Sequence, residues 1–202
     1  GYSKTMAHKI NTTPRRWLGA LALTSILAGG ALVGSLTTKT AYAALAEGAQ
    51  APAFTAPGAK AGKPVTFELK EALKKGPVVL YFFPAAFTPG CTLEAHAFAD
   101  ATDEFAKLKA TVIGITAGNV ERLKAFSEEE CHGKFAVLAD PKAKIATLYQ
   151  NTSTHGLSVL SDRTSYVIAP DGKILLAFTS SDPQAHVSRT MAAVTAWYAL
   201  HS

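Results

Sequence analysis

Cys91 stands where a strand is predicted to give way to a helix, and its thiol is the side chain of this 202-residue sequence best placed for covalent chemistry. Upstream, Pro77 to Phe83 is an unbroken apolar run rich in β-branched and aromatic residues, the pattern of a strand buried on both faces. Downstream, Leu93, Ala97, Phe98, Phe105 and Leu108 recur at three- and four-residue intervals, which predicts a helix over 91–110 with these residues toward the core. Cys91 therefore falls in the first turn of that helix. There, unpaired backbone N–H groups and the positive end of the dipole favour a thiolate over a thiol. A small buried residue that merely starts a helix is the other reading, and position alone does not separate the two.

Spacing adds a second signal. Pro84, Thr88 and Cys91 spell Pro-x-x-x-Thr-x-x-Cys, which resembles the active-site loop of the peroxiredoxins. The likeness begins at Gly48 to Phe54, runs through the strand and loop, and reaches Ser161 to Ile174, so it covers nearly all of the chain after Ala43. The resemblance implies an α/β, thioredoxin-like fold with a mixed central sheet flanked by helices on both faces. It further implies thiol-dependent reduction of hydrogen peroxide and alkyl hydroperoxides, without a cofactor. The expected partners are a hydroperoxide substrate and a thioredoxin-like or other thiol reductant, and the protein would be a monomer or homodimer.

The same resemblance assigns roles. Cys91 would attack one peroxide oxygen while the other leaves as hydroxide or alkoxide. Arg163, just before Thr164 to Ile168, would supply a fixed positive charge, and its planar fork could hold the sulfur and a peroxide oxygen together. Thr88 would turn its hydroxyl toward the peroxide, and Pro84, which has no N–H, would shield the sulfur from water. Glu94, one turn after Cys91, matches a position whose carboxylate orients the arginine; a glutamate favouring the helix dipole is the equal alternative.

The sulfenic acid formed by attack must then meet a second thiol. In the bacterioferritin comigratory protein subgroup, which this chain most resembles, that cysteine often lies five residues after the nucleophile. His96 occupies the position here and cannot serve. Cys131 is the other thiol in the chain, and some relatives carry the resolver on its helix, so an intramolecular Cys91–Cys131 disulfide is expected. Glu128 to His132 surrounds it with negative charge, which would slow its attack. A one-cysteine enzyme recycled by an external thiol, and a static disulfide, stay open.

Other chemistries fit less well. Disulfide exchange wants Cys-x-x-Cys, but position 94 is glutamate; copper delivery wants Cys-x-x-x-Cys, but position 95 is alanine. His132, His155, His186 and His201 are scattered and show no metal-ligand spacing. A non-catalytic binding or chaperone module on the same scaffold is the remaining rival class.

The formal charge of +5 lies entirely in residues 1–43, which hold Lys4, Lys9, Arg15, Arg16 and Lys39 and no acidic residue. The rest is balanced, so the folded part gives no reason to expect nucleic-acid binding. Lys9, Arg15 and Arg16 followed by the apolar run Trp17 to Leu36 and by Ala41-Tyr42-Ala43 read as an export signal, cleaved after Ala43. An exported, periplasmic location without stable membrane association follows, with an uncleaved membrane anchor as the alternative.

Residues 44–202 then form one domain. Ala51 to Gly62 is rich in Ala, Pro and Gly and is expected to be irregular. Pro64 to Leu69 reads as an alternating strand, Glu71 to Lys75 as a helical turn, and Thr111 to Thr116 as a second buried strand. Asn119 is expected to cap a helix through about Glu130. Phe135 to Leu138 is a third strand, Lys142 to Tyr149 a helix, and 150–160 irregular. Ser165 to Ile168 and Ile174 to Phe178 flank an Asp171-Gly172 turn as a hairpin, and Pro183 opens a last helix to Leu200.

Overall fold

A computed structural model describes residues 44–202 of the chain. The leader expected over 1–43, with its cleavage after Ala43, lies outside the described residues.

The chain opens with a hairpin, β1 (Thr55–Lys60) and β2 (Lys63–Glu68), and a short helix α1 (Leu69–Leu73). Next come β3 (Val78–Phe82), α2 (Pro89–Lys107), β4 (Thr111–Thr116), a 3-10 turn (Val120–Arg122) leading into α3 (Leu123–Glu129), and β5 (Ala136–Ala139). A second 3-10 turn (Pro141–Ala143) precedes α4 (Lys144–Leu148); then follow β6 (Thr152–His155), β7 (Ser158–Ser161), β8 (Thr164–Ile168), β9 (Ile174–Thr179) and α5 (Pro183–His201). Seven strands form one mixed sheet in the order β2-β1-β5-β4-β3-β8-β9, while β6 and β7 pair apart from it. The crossovers β3–α2–β4 and β4–α3–β5 join parallel neighbours, and the remaining pairings are antiparallel.

β3 is buried along its length because helices cover both sheet faces. Its alternate residues divide between two cores. Val79, Tyr81 and Phe83 meet α2, α3 and α5 through Phe98, Phe126 and Val194. Val78, Leu80 and Phe82 meet α1 and α4 through Leu69, Leu73 and Ala146, with Tyr149 and Tyr166 beside them. The expected fold class therefore holds. Among the described residues no helix is long and apolar enough to cross a membrane.

Several local expectations need correction. Thr55–Lys60 is a strand, not an irregular segment, because pairing with β2 and β5 overrides its weak propensity. Gly58 makes the second pairing possible: a Cβ there would lie 2.1 Å from the Val137 carbonyl oxygen. The stretch 150–160 is largely a hairpin, β6–β7, turning at Gly156-Leu157. The helix expected over 142–149 shrinks to Lys144–Leu148, since Lys142 and Ala143 take left-handed conformations. Asp140 caps it, accepting from the N–H groups of Ile145 and Ala146 at 2.9 Å. Asn119 does stand at the N-cap, but of the 3-10 turn that leads into α3, and its side chain makes no capping bond there, donating to the Ala86 carbonyl instead.

Leu93 is 59 % exposed, and Glu94 is wholly buried in its stead. The inward stripe of α2 runs through Cys91, Glu94, Ala95 and Phe98. A carboxylate thus occupies a position that helical periodicity reserves for an apolar side chain.

Candidate active site

β3 ends at Phe82, and the chain crosses from Phe83 to Thr88 before α2 begins. Thr88 is the extended residue preceding the helix, Pro89 occupies the first helical position, and Cys91 follows two residues later. Proline fits there because the N–H it lacks would have had no helical partner. Cys91 is 1 % exposed, with its sulfur at the amino end of a 19-residue helix.

The loop is tied down at nearly every residue. The Phe83 carbonyl accepts from Ser161 Oγ at 2.9 Å, and the Pro84 carbonyl accepts from Thr116 Oγ1 at 3.1 Å. Ala86 donates its N–H to the Gly118 carbonyl at 3.2 Å and accepts from Asn119 Nδ2 at 2.8 Å. Phe87 sits at a φ of 63°, a costly conformation for an aromatic residue. Its ring is clamped edge-on against Phe126 with centroids 5.2 Å apart, and the Arg122 guanidinium lies 3.9 Å from it. Thr88 Oγ1 donates to the Ala85 carbonyl at 2.9 Å. Its proton is thereby committed, and its lone pairs stay available to accept one.

Arg163 reaches the same place from the other side of the chain. In the antiparallel β3–β8 pair, Phe82 stands opposite Thr164, so residue 163 emerges beside the start of the loop. Arg163 Nη2 lies 3.4 Å from Cys91 Sγ, and Nη1 lies 3.4 Å from the Gly90 carbonyl. Nη1 also donates to Glu94 Oε2 in a buried ion pair. Burial alone would weaken the charge on Arg163, but the fields of Glu94 and Cys91 outweigh it and raise the guanidinium above its usual range. Burial pushes the Glu94 carboxyl up to about 8, against the opposing pull of Arg163.

Cys91, Arg163 and Glu94 thus meet at one spot, and Pro84 and Thr88 lie on the loop that leads into it. A guanidinium and a helix terminus face a sulfur. Such a site can support negative charge on the sulfur and on an oxygen leaving it. Glu94 is no mere helix-dipole residue, because it is fully buried against the arginine.

Cys131 lies outside this cluster, in the turn after α3, wholly buried in the core that also holds Cys91. Both cysteines are free thiols. Burial, helped by the charge of Glu130, pushes the Cys131 thiol well up. His96 touches its neighbours instead: Nε2 is 2.6 Å from Glu130 Oε2, and the ring stacks on His132 at 5.0 Å.

Three contributors were invisible in the sequence. Gly90 makes room for the arginine. His186, on α5, lies 3.7 Å from Glu94 Oε1. Tyr81 brings a buried hydroxyl without a hydrogen-bond partner among the described residues. No sequence signal marked them, because the expected inward stripe of α2 ran through Leu93 and left Glu94 outside it.

Comparison with known proteins places the chain in a family. Residues 48–177 match the AhpC/TSA family. Over 157 residues the chain is 31 % identical to the chloroplastic peroxiredoxin Q of Sedum lineare, covering 77 % of this chain and 81 % of that one. The crystal structure of peroxidoxin BcpB from Mycobacterium tuberculosis superposes with a TM-score of 0.68 at 30 % identity, covering 75 % of this chain and 97 % of the other. Peroxiredoxin Q of Xanthomonas campestris shares the fold with a TM-score of 0.61 at 21 % identity, covering 70 % and 90 %.

Proposed function

The chain belongs to the AhpC/TSA family of peroxiredoxins and is a thiol-dependent peroxidase; from that premise we propose that Cys91 is its peroxidatic sulfur and Cys131 the thiol that resolves it. The contact of Arg163 Nη2 with Cys91 Sγ at the amino end of α2 carries the first assignment. The Cys91 thiolate attacks the nearer oxygen of a hydroperoxide, and the O–O bond breaks with its electron pair going to the distal oxygen. That oxygen leaves as water or alcohol after taking a proton, and the sulfur becomes a sulfenic acid. Arg163 holds the peroxide and steadies the charge in flight, while Thr88 Oγ1 accepts the hydrogen bond of the incoming O–H. Pro84 adds no donor that would hold water at the sulfur.

Cys131 then attacks the sulfenic sulfur, a disulfide forms, and water departs; a thioredoxin-like or other thiol partner reduces the bond. Support comes from its place in the same buried cluster as Cys91. The segment must open first, because a buried thiol held well up is a poor attacker. That same burial favours a second reading, in which an external thiol meets the sulfenic acid directly.

We further assign the chain to an exported, periplasmic location, on the strength of the basic stretch, apolar run and Ala41-Tyr42-Ala43 of the leader. An intact mass beginning at Ala44 after expression in a bacterium tests that location. Mass spectrometry before and after one equivalent of peroxide tests the chemistry, reading Cys91 sulfenic acid, a Cys91–Cys131 bond, or neither. Peroxide consumption undiminished in Cys91→Ser would remove the assignment.

A further inference from the structure

Glu94 Oε1 is fully buried and has no hydrogen-bond partner among the described residues, although its sister oxygen is paired to Arg163. Leaving a buried carboxylate oxygen without a donor is costly. The nearest polar atom recorded for it is His186 Nδ1, at 3.7 Å, and that ring is also wholly buried. Nε2 of His186 lies 2.8 Å from the Ser180 carbonyl, which can only accept, so Nε2 carries a proton. In the neutral ring Nδ1 is then an acceptor, and Ser165 Oγ, at 2.7 Å, is its donor. That bond takes up the single Nδ1 lone pair, so an ionised Glu94 finds no proton donor across this gap. A proton placed there removes the conflict.

Charge counting points the same way. The buried cluster contains one permanent cation, Arg163, facing two groups able to be anions, Cys91 and Glu94. If both ionise with no further proton, one negative charge is left uncompensated in a low-dielectric place. We propose that Glu94 and His186 hold one proton between Glu94 Oε1 and His186 Nδ1, and that this shared proton leaves the Arg163 charge for the Cys91 sulfur and for peroxide. The proposal rests on the peroxidatic reading of Cys91 and adds His186 as a positioning residue. On Nδ1 the proton makes an imidazolium that donates to Ser165 Oγ and faces the carboxylate at 3.7 Å; on the carboxyl it reaches Nδ1 only when the Ser165 hydroxyl turns away and that gap closes.

The charged and titratable groups facing the pair are few. Arg163 approaches from the start of β8, Asp182 from the amino end of α5, and Cys91 from α2; Tyr81 on β3 feels the Glu94 charge. Phe178 of β9 closes the remaining side of the ring at 5.0 Å, with the Arg189 guanidinium 5.1 Å from that phenyl group. Burial raises Glu94 to about 8 and lowers His186, with the Ser180 bond opposing the latter shift. Both directions favour the neutral acid beside the neutral ring near pH 7. Above about pH 8 the proton departs, and the new carboxylate draws Arg163 away from the sulfur.

Two measurements test this. In pH-difference infrared spectra combined with histidine-ring nitrogen NMR of the reduced protein, neutral samples should show either a protonated carboxyl abolished by Glu94→Gln or a His186 imidazolium. Finding neither overturns the proposal, whatever the peroxidase activity. The second is the pH profile of the peroxide reaction. His186→Leu should move its alkaline limb acidward by about one unit, since the shared proton loses one of its two resting places. His186→Asn, whose side-chain carbonyl can accept from Glu94, should restore most of that shift. A folded His186→Leu whose rate falls by one factor at every pH, or not at all, overturns the positioning role. Should that variant not fold, the spectra of the wild type and Glu94→Gln decide. A shared proton found in a protein that fails to consume peroxide would instead sink the peroxidatic reading.

Discussion

Gly90 and Arg163 touch because position 90 carries no side chain. A Cβ there would lie 2.9 Å from Arg163 Nη2, the nitrogen that faces Cys91 Sγ. The glycine in Pro-Gly-Cys is therefore a seat for the guanidinium as well as a helix-starting residue.

Gly90→Ala should displace that guanidinium while leaving the fold intact, since one added methyl meets the end of a flexible side chain. The expected loss in the rate of Cys91 oxidation is about tenfold or more, within the range seen when one transition-state donor is misplaced. Stopped-flow competition for peroxide gives the rate, and circular dichroism checks the fold. An unchanged rate would show that Arg163 need not sit where it does.

Arg163→Met should lower the same rate by about 10²–10³, as removal of a preorganised charge typically does. Arg163→Lys should recover only part, because an ammonium cannot hold Glu94 and the sulfur through one planar fork. Full recovery by lysine would reduce the arginine's part to simple charge.

Cys131→Ser should leave the first, single-turnover reduction of peroxide intact and stop formation of the intramolecular disulfide. Non-reducing mass analysis after one equivalent of peroxide reads both. Equal recycling by the variant would end the resolving role and leave the one-cysteine cycle.

His96→Ala removes the partner that holds Glu130 at 2.6 Å and stacks on His132, on either side of Cys131. The segment should open more readily, so hydrogen exchange around 130–133 and the rate of disulfide formation should both rise by about a few-fold, the scale of one half-exposed polar contact. No change in either would detach His96 from the resolving step.

Glu94 gives a pH signature in stability. Its folded value, raised by burial to about 8 from 4.5, means the native state holds a proton that the unfolded chain has lost between those limits. Stability contributed by the group is full below about pH 4.5 and declines as pH climbs toward 8. Urea unfolding at several pH values should show Glu94→Gln losing less stability over that window than the wild type. Parallel curves would mean that Glu94 is ionised throughout.

Much of the fold was legible because it rests on local pattern. β3, β4, α2, the Asp171-Gly172 turn and the Pro183 helix start each follow from apolar periodicity or turn chemistry within a short window. The strand Thr55–Lys60 was not, because its residues are poor strand formers and become one only when β2 and β5 flank them. Leu93 misled for a related reason: periodicity sets the spacing of an inward stripe, while its phase on α2 is decided by which residue meets Arg163.

The site divides along the same line. The sequence by itself determined that Cys91 opens a helix, that Thr88 and Pro84 precede it, and that an arginine stands before a late strand. Only the tertiary structure decided that this arginine arrives at the sulfur: the pairing of Phe82 with Thr164 carries Arg163 across 72 positions of chain. It likewise decided that α5 delivers His186 to Glu94. Strand register and helix packing are choices among distant partners, and their energies come from surfaces that exist only after the chain has folded.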